Sequence, residues 1–462
     1  MSDADLIVLG GGPAGLWAAW RAAIAGHRVI VVERAEVPGG MAGSFEVAGQ
    51  RVDFGSHRLH PSTDSRLMAD ICELLGDDLQ SRTRNGRLRL NGRWVGFPLR
   101  TLNLLRNVSL GFATGAAFDA AIAPLRGPRD DTFKAHLRAG LGPSVSRSFY
   151  EPYADKLWGT PADQLDADLA RRRVSASSPL AIARRLARGA SQEGRRFFYP
   201  RCGYGQICER ILEAAVAAGV EVRLGTTAIG LELGNSGAGV TVTTPNGRLA
   251  AARCWSTIPI SALVRIAHPP PPTCVLKAIE SLRHRAMVLV YLVCDQARYT
   301  SFDAHYLPGP GTPVSRLSEP KNYRDGPDPA DRTVLCAEVP CWKGDTTWMA
   351  TDEDLGAIVA ESLVAEGLPR PQHVATETRR LPQVYPVYVR GYREGLEAVA
   401  EWSDSLKHLT VFGRQGLFVP DNLHHVLSMG QAAADALGVD GSFDQQAWSA
   451  SLDAFTGHVV ED

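Results

Sequence analysis

The sequence predicts an α/β protein: a Rossmann-like dinucleotide-binding domain with a helical insertion and a second, mixed-sheet domain for substrate. Three observations carry this expectation. A strand–glycine turn–helix–strand unit begins almost at the first residue. A long stretch from residue 101 onward has helical patterning and few strand runs. After a block of apolar strands, a further strand at Leu409–Phe412 runs into Gly413 and a helix-like segment.

The first unit reads LIVLGGGPAGLWAAWRAAIAGHRVIVVE over residues 6–33. The apolar run Leu6–Leu9 meets Gly10-x-Gly12-x-x-Gly15, with Pro13 and Ala14 opening an alanine-rich helical segment. Gly10 permits a tight turn, Gly12 lets backbone N–H groups approach a pyrophosphate, and Gly15 lets the helix lie against the strand. The helix N-terminus offers unpaired N–H groups and a positive dipole end to phosphates. Glu33 stands 18 positions after Gly15, where an acidic group reaches the ribose hydroxyls of a dinucleotide. An acid there favours unphosphorylated ribose, hence FAD or NAD over NADP.

Composition bounds the rest. The 462 residues suit roughly three domain-sized units. Apolar content of 45% and charged content of 21% are those of a globular protein. A formal net charge of −1 argues against a general electrostatic grip on nucleic acid or anionic membrane, leaving local basic pockets such as Arg171–Arg173. The eight cysteines are spread singly, without a CxxC pair or a His-rich run, so neither a metal site nor a disulfide framework is expected. The first strand leaves no room for a signal peptide, and a cytoplasmic location is expected. The longest weakly polar stretch, Val108–Phe118, falls short of the ~20 residues that span a bilayer and reads as a helix packed in a core, with a membrane-facing helix as the alternative.

The chain then divides as follows. Gly39, Gly40 and Gly43 make a second glycine loop after Glu33. Hairpins are expected at Ser44–Val47 with Gln50–Asp53, and over 82–98, where Asn85-Gly86 and Asn91-Gly92 are turn signals. Pro269–Pro272 marks a domain crossing. The expected layout is a discontinuous nucleotide domain (1–81, 195–268 and 405–440), a helical insertion (101–194), a substrate-binding sheet domain (82–100 and 269–404) and a C-terminal segment (441–462). A nucleotide domain assembled from separated pieces points to a flavoprotein.

The fingerprint, Gly39-Gly40 and the strand–Gly413-Arg414–helix segment together resemble the FAD-dependent amine oxidase superfamily, which includes protoporphyrinogen oxidases, carotenoid desaturases and UDP-galactopyranose mutases. The resemblance implies FAD. It implies the adenine half at Gly10, Gly12, Pro13, Ala14, Gly15, Glu33 and Arg34, with Gly40, Met41 and Gly413 also on the cofactor. The isoalloxazine is implied near Gly55, Ser56, His57 and His60, and near Arg414, Asn422 and Leu423. A helix N-terminus at Asn422–Leu423 would then stabilise negative charge at the flavin N1/O2 edge.

Four segments resemble the nucleotide-sugar mutase branch: FGSHRLH (54–60), YADKLWGTPADQLDADLARRRV (153–174), PVSRLSEPKN (313–322) and YPV (385–387). The resemblance implies Tyr153 and Trp158 against the nucleotide base and sugar. It implies Arg173 (or Arg172, one residue away) and Arg316 on the diphosphate, with the Tyr385 hydroxyl. His60 would sit against the flavin, so His60, Arg173 and Arg316 form the implied catalytic set. Guanidinium suits this because its planar fork binds phosphate oxygens bidentately. Where the mutases carry two tyrosines and an aspartate, this chain has Phe418, Pro420 and His424, which implies an altered sugar pocket lined by Phe418 and His424.

Blander readings stand beside these. Tyr153 and Trp158 equally fit an aromatic core, Arg171–Arg173 a solvated helix face of which one residue at most reaches a pocket, and Arg316 a surface ion pair. The function expected is that of a flavoenzyme acting on a small molecule: a redox-neutral pyranose/furanose mutase working on a nucleotide sugar, or a net oxidase or dehydrogenase of an amine, alcohol or C–C bond. A non-catalytic flavoprotein is the third reading. Neither nucleic acid nor a transmembrane segment is expected; a homodimer is compatible with the sequence.

Overall fold

The computed structural model describes residues 3–98, 106–173, 196–234 and 239–460. The expected helical insertion therefore lies outside the described residues at 101–105 and 174–194.

The opening unit forms β1 (Ala4–Leu9), α1 (Pro13–Ile24) and β2 (Val29–Val32). β1 is central. It pairs in parallel with β2 on one side and with strand Gly247–Ser256 on the other. Glu221–Arg223 extends the sheet beyond β2. Gly247–Ser256 forms a hairpin with Val240–Thr244, while its far end pairs in parallel with Leu409–Val411. Leu6 through Leu9 show no alternation because both faces of the sheet are covered, and each is at most 1% exposed. One face is covered by α1, helix Gln206–Ala217 and helix Leu423–Asp435. The other is covered by helices Ile260–Ile266 and Thr273–Ser281 and by the helical segment.

Among the described residues the second sheet has seven strands, in the spatial order His373–Pro386, His284–Cys294, Thr333–Cys341, Arg316–Ser318, Ala304–Tyr306, Gly86–Leu90 and Arg93–Phe97. Helix Asp352–Ala365 packs on one face. The other face meets the small hairpin Ser44–Val47/Gln50–Asp53, whose turn at Ala48-Gly49 takes φ of +49° and +77°. Asn91-Gly92 closes its hairpin the same way, with φ of +48° and +74°. Asn85-Gly86 does not close one. The Asn85 N–H donates to the Asp303 carboxylate (2.9 Å), and Leu79–Thr83 pairs instead with Arg196–Pro200, which brings buried Phe197 and Tyr199.

The described part of the helical segment holds helices Leu110–Ile122, Phe133–Leu141, Glu151–Trp158 and Ala167–Arg173. The first is not the core helix its composition predicts: Leu110 is 81% and Phe118 65% exposed, and its buried residue is Asp119. That carboxylate is the anchor, accepting from Arg126 (2.7 Å) and from the Ser144 N–H (2.7 Å), so the polar side turns inward. Among the described residues, no helix is long and apolar enough to cross a membrane.

Candidate active site

The glycine fingerprint builds a cradle from backbone. Gly10 takes φ +107°, as the turn needs. A Cβ on Gly15 would stand 2.1 Å from the Gly10 carbonyl oxygen, so a larger residue would force α1 off β1. Gly12 has nothing within 4 Å of its Cβ position and faces open space. The second glycine loop docks on the first through Gly39 N–H to Gly11 O (2.8 Å), and the turn Gly40–Ala42, with Met41 in it, follows. The Glu33 carboxylate accepts from the N–H groups of Gly11 (2.6 Å) and Ala35 (2.7 Å), which aims it at the turn; Arg34 beside it is exposed. From the other end of the chain, Gly413 at φ +81° brings its Cα side against Ala14, and Asn422 caps helix Leu423–Asp435.

Between cradle and second sheet lies a set of cations. Glu338, in the otherwise uncharged strand Thr333–Cys341, accepts from Arg316 (Nη2 2.8 Å, Nε 2.9 Å) and from the Ser56 N–H (2.9 Å). It thereby ties the Gly55–His60 segment to the second sheet. Arg173 lies over the ring of Tyr385 (5.1 Å) and near Trp158 (5.7 Å), and Arg414 approaches the same Tyr385 ring (5.9 Å). Arg414 is pinned by donating to Asp421 O (2.6 Å) and Val384 O (2.8 Å). Burial, then repulsion from Arg173, pulls its guanidinium down to about 10. Burial first, then Glu338, raises the Tyr385 phenol, so it stays protonated and able to donate. Burial, followed by Arg316 and Arg414, presses His57 to about 3, which leaves it a neutral ring stacked on Tyr204 at 5.2 Å.

His60 and His424 come together at 6.0 Å, and the His60 Nδ1 pairs with Ser62 Oγ (2.6 Å). Tyr153 stacks on Phe149 at 5.4 Å. Trp158 is 4% exposed against Phe133, so it borders the cluster through Arg173 rather than as an open surface. Two assignments are corrected. The Arg172 side chain turns the other way, toward Asp421 (3.7 Å) and Phe455 O (3.4 Å), because consecutive helical residues point in different directions. Phe418 lines no pocket: it is wholly buried at φ +55°, between His284 (4.8 Å) and Tyr388 (5.8 Å), with its carbonyl accepting from Tyr388.

Sequence reasoning passed over several residues here. Glu338 carried a signal, a single acid in an apolar strand. Arg58 sits inside the quoted FGSHRLH segment and pairs with buried Asp303 at 3.3 Å. His284, held at about 4 by burial and Arg414, had no such signal. Asp421, His425 and His458, whose donor atoms lie within 4.8 Å of one another, form a cluster that spacing could not show.

A family described as flavin containing amine oxidoreductase matches residues 13–365. Among curated relatives, a phytoene dehydrogenase of Streptomyces griseus is 33% identical over 167 residues, 36% of this chain and 31% of that protein. The putative flavin-containing monoamine oxidase AofH of Mycobacterium tuberculosis is 28% identical over 285 residues, 58% of this chain and 59% of that protein. The matches thus span less than two thirds of either relative. Among solved structures, a reduced UDP-galactopyranose mutase superposes with a TM-score of 0.81 at 19% identity, covering 99% of this chain and 100% of that one. A putative protoporphyrinogen oxidase from Exiguobacterium sp. 255-15 gives 0.71 at 20% identity, covering 94% and 99%.

Proposed function

The chain belongs to the flavin containing amine oxidoreductase family, and from that premise we propose an FAD-dependent enzyme that acts on a nucleotide-activated sugar by redox-neutral pyranose/furanose interconversion. FAD fits the residues present. The open side of Gly12 admits a pyrophosphate, the start of α1 faces it, and Glu33 is held by two backbone N–H groups in reach of the ribose. When bound, FAD supplies N5, the atom at which bonds to substrate carbon are exchanged.

The protein's part is electrostatic. One observation carries the reading: Arg173 and Arg414 flank a single protonated phenol, Tyr385, with Arg316 held nearby by Glu338. Cations that repel one another in a buried space favour an anion, and a diphosphate offers oxygens in the geometry guanidinium forks bind. In this reading Arg173 and Arg316 grip the leaving diphosphate and stabilise its charge, and the Tyr385 O–H donates to it. Arg414, anchored to two carbonyls, contributes field rather than contact. Neutral His57 and the His60–His424 pair border the sugar.

The test is incubation of the dithionite-reduced protein with a panel of UDP-, GDP- and TDP-sugars. Ring-isomerised product is expected from at least one; neither product nor binding with any of them overturns the reading. A second reading is a net oxidoreductase. The absence of the mutase tyrosines, replaced here by Phe418 and Pro420, favours it. Substrate-dependent bleaching of the flavin under anaerobic conditions would select that reading.

A further inference from the structure

We propose that His458, in the segment after the last helix, is a positioning residue that holds Arg414 of the cleft, and Arg172 behind it, through Asp421. Asp421 precedes helix Leu423–Asp435, and its side chain is fully buried. His458 Nδ1 pairs with its Oδ2 at 2.6 Å, the close partner of that carboxylate. The other oxygen lies 3.7 Å from Arg172 Nη1. The backbone carbonyl of the same residue accepts from Arg414 Nη1 at 2.6 Å. One residue therefore links His458 to Arg414 by its carbonyl and to Arg172 by its carboxylate.

The C-terminal segment grips the arginine helix a second time. The Val460 N–H donates to Arg172 O (2.7 Å), and Arg172 Nη1 donates to Phe455 O (3.4 Å). Arg173, the next residue, faces Tyr385. The His458 ring is itself fixed, stacked on His425 at 4.3 Å and 15° and lying 5.3 Å from Phe455. A buried carboxylate that loses its close donor must turn toward another or reach water. The backbone carbonyl of Asp421 orients Arg414, so any shift of the Asp421 backbone that accompanies this movement reaches Arg414. His458 thus acts on the cleft without entering it.

The experiment compares wild type, His458→Ala and His458→Asn in the full-length holoprotein. The readouts are the visible absorption envelope of bound FAD and the Kd for UDP; the UDP arm rests on the diphosphate reading above. His458→Ala is expected to keep its FAD, to shift the flavin spectrum and to bind UDP at least fivefold more weakly. His458→Asn, whose amide N–H occupies the place of Nδ1–H, is expected to restore both to within twofold. A His458→Ala spectrum identical to wild type overturns the proposal, and so does an Asn variant as impaired as Ala. If wild type binds no UDP, the diphosphate reading fails and the spectral comparison still decides the role of His458. A wild-type spectrum that responds to EDTA or added zinc also overturns it, because the Asp421–His425–His458 donors would then be serving a metal ion rather than a hydrogen bond.

Discussion

The dinucleotide cradle and the cleft around Tyr385 are built from opposite materials. The cradle is backbone: glycines that remove side chains, one carboxylate, and the end of a helix. The cleft is side chain: arginines, an aromatic hub and a buried glutamate, delivered by the helical segment, three strands of the second sheet and the last flavin motif. A backbone site tolerates almost no added volume and little depends on charge. A side-chain site tolerates volume and depends on every charge having its counterpart. The two should therefore fail differently.

The largest effect is expected at Gly15→Val. Its Cβ would meet the Gly10 carbonyl at 2.1 Å, with backbone on both sides unable to yield. The purified protein should lack flavin and lose on the order of 3 kcal/mol of stability, read by FAD content and urea unfolding. Arg316→Ala comes next. On the diphosphate reading it removes a contact worth ~2 kcal/mol, and it leaves Glu338 buried without its cation, at a cost of about 3 kcal/mol in folding. Titration calorimetry and unfolding should show both losses, and normal stability would break the comparison.

Acid should act on the side-chain half. His57, in the cleft, is held at about 3 by burial, then by Arg316 and Arg414, against 6.5 unfolded. Unfolding below pH 6.5 therefore takes up a proton. The stability this neutral histidine contributes is complete above pH 6.5 and shrinks as pH falls toward 3. By pH 5 the loss is ~2 kcal/mol, at about 1.4 kcal/mol per pH unit. Urea midpoints measured at pH 7 and pH 5 check it.

The finest contrast separates neighbours. Arg173→Ala should weaken UDP by ~2 kcal/mol with the melting temperature nearly unchanged. Arg172→Ala should reverse that pattern, costing about 1 kcal/mol of stability and weakening UDP less than Arg173→Ala does. Equal ligand losses from the two would erase the distinction drawn from their directions.

The same contrast explains what could be read in advance. The cradle was legible because its logic is local: strand, turn, helix and acid follow one another within residues 6–33, and each glycine has a steric reason. The cleft was legible only through resemblance, since Arg173, Arg316, Tyr385 and Arg414 meet in space and nothing in their spacing says so. Phe418 was misplaced because a position in a motif does not reveal which way a side chain turns, and a left-handed backbone there buries the ring. Leu110–Ile122 was misplaced because composition says apolar without saying that Asp119 is the residue facing in. Glu338 was readable as a lone charge in an apolar strand. His458 was not, lying 33 positions beyond the histidine it stacks on.

The meeting of Gly430 with Ala14 has a temporal consequence. A Cβ at Gly430 would approach the Ala14 carbonyl to 2.7 Å, so the helix that starts at residue 423 seats directly on the helix that starts at residue 13. β1 likewise waits for a neighbour made about 240 residues later, whose own partner comes some 150 residues after that. More than four hundred further residues must be made before Gly10–Gly15 acquire the surroundings that make them a binding site. Cofactor capture thus waits for the helix over 423–435, and the apolar β1–α1–β2 unit must be kept from other company until that helix arrives.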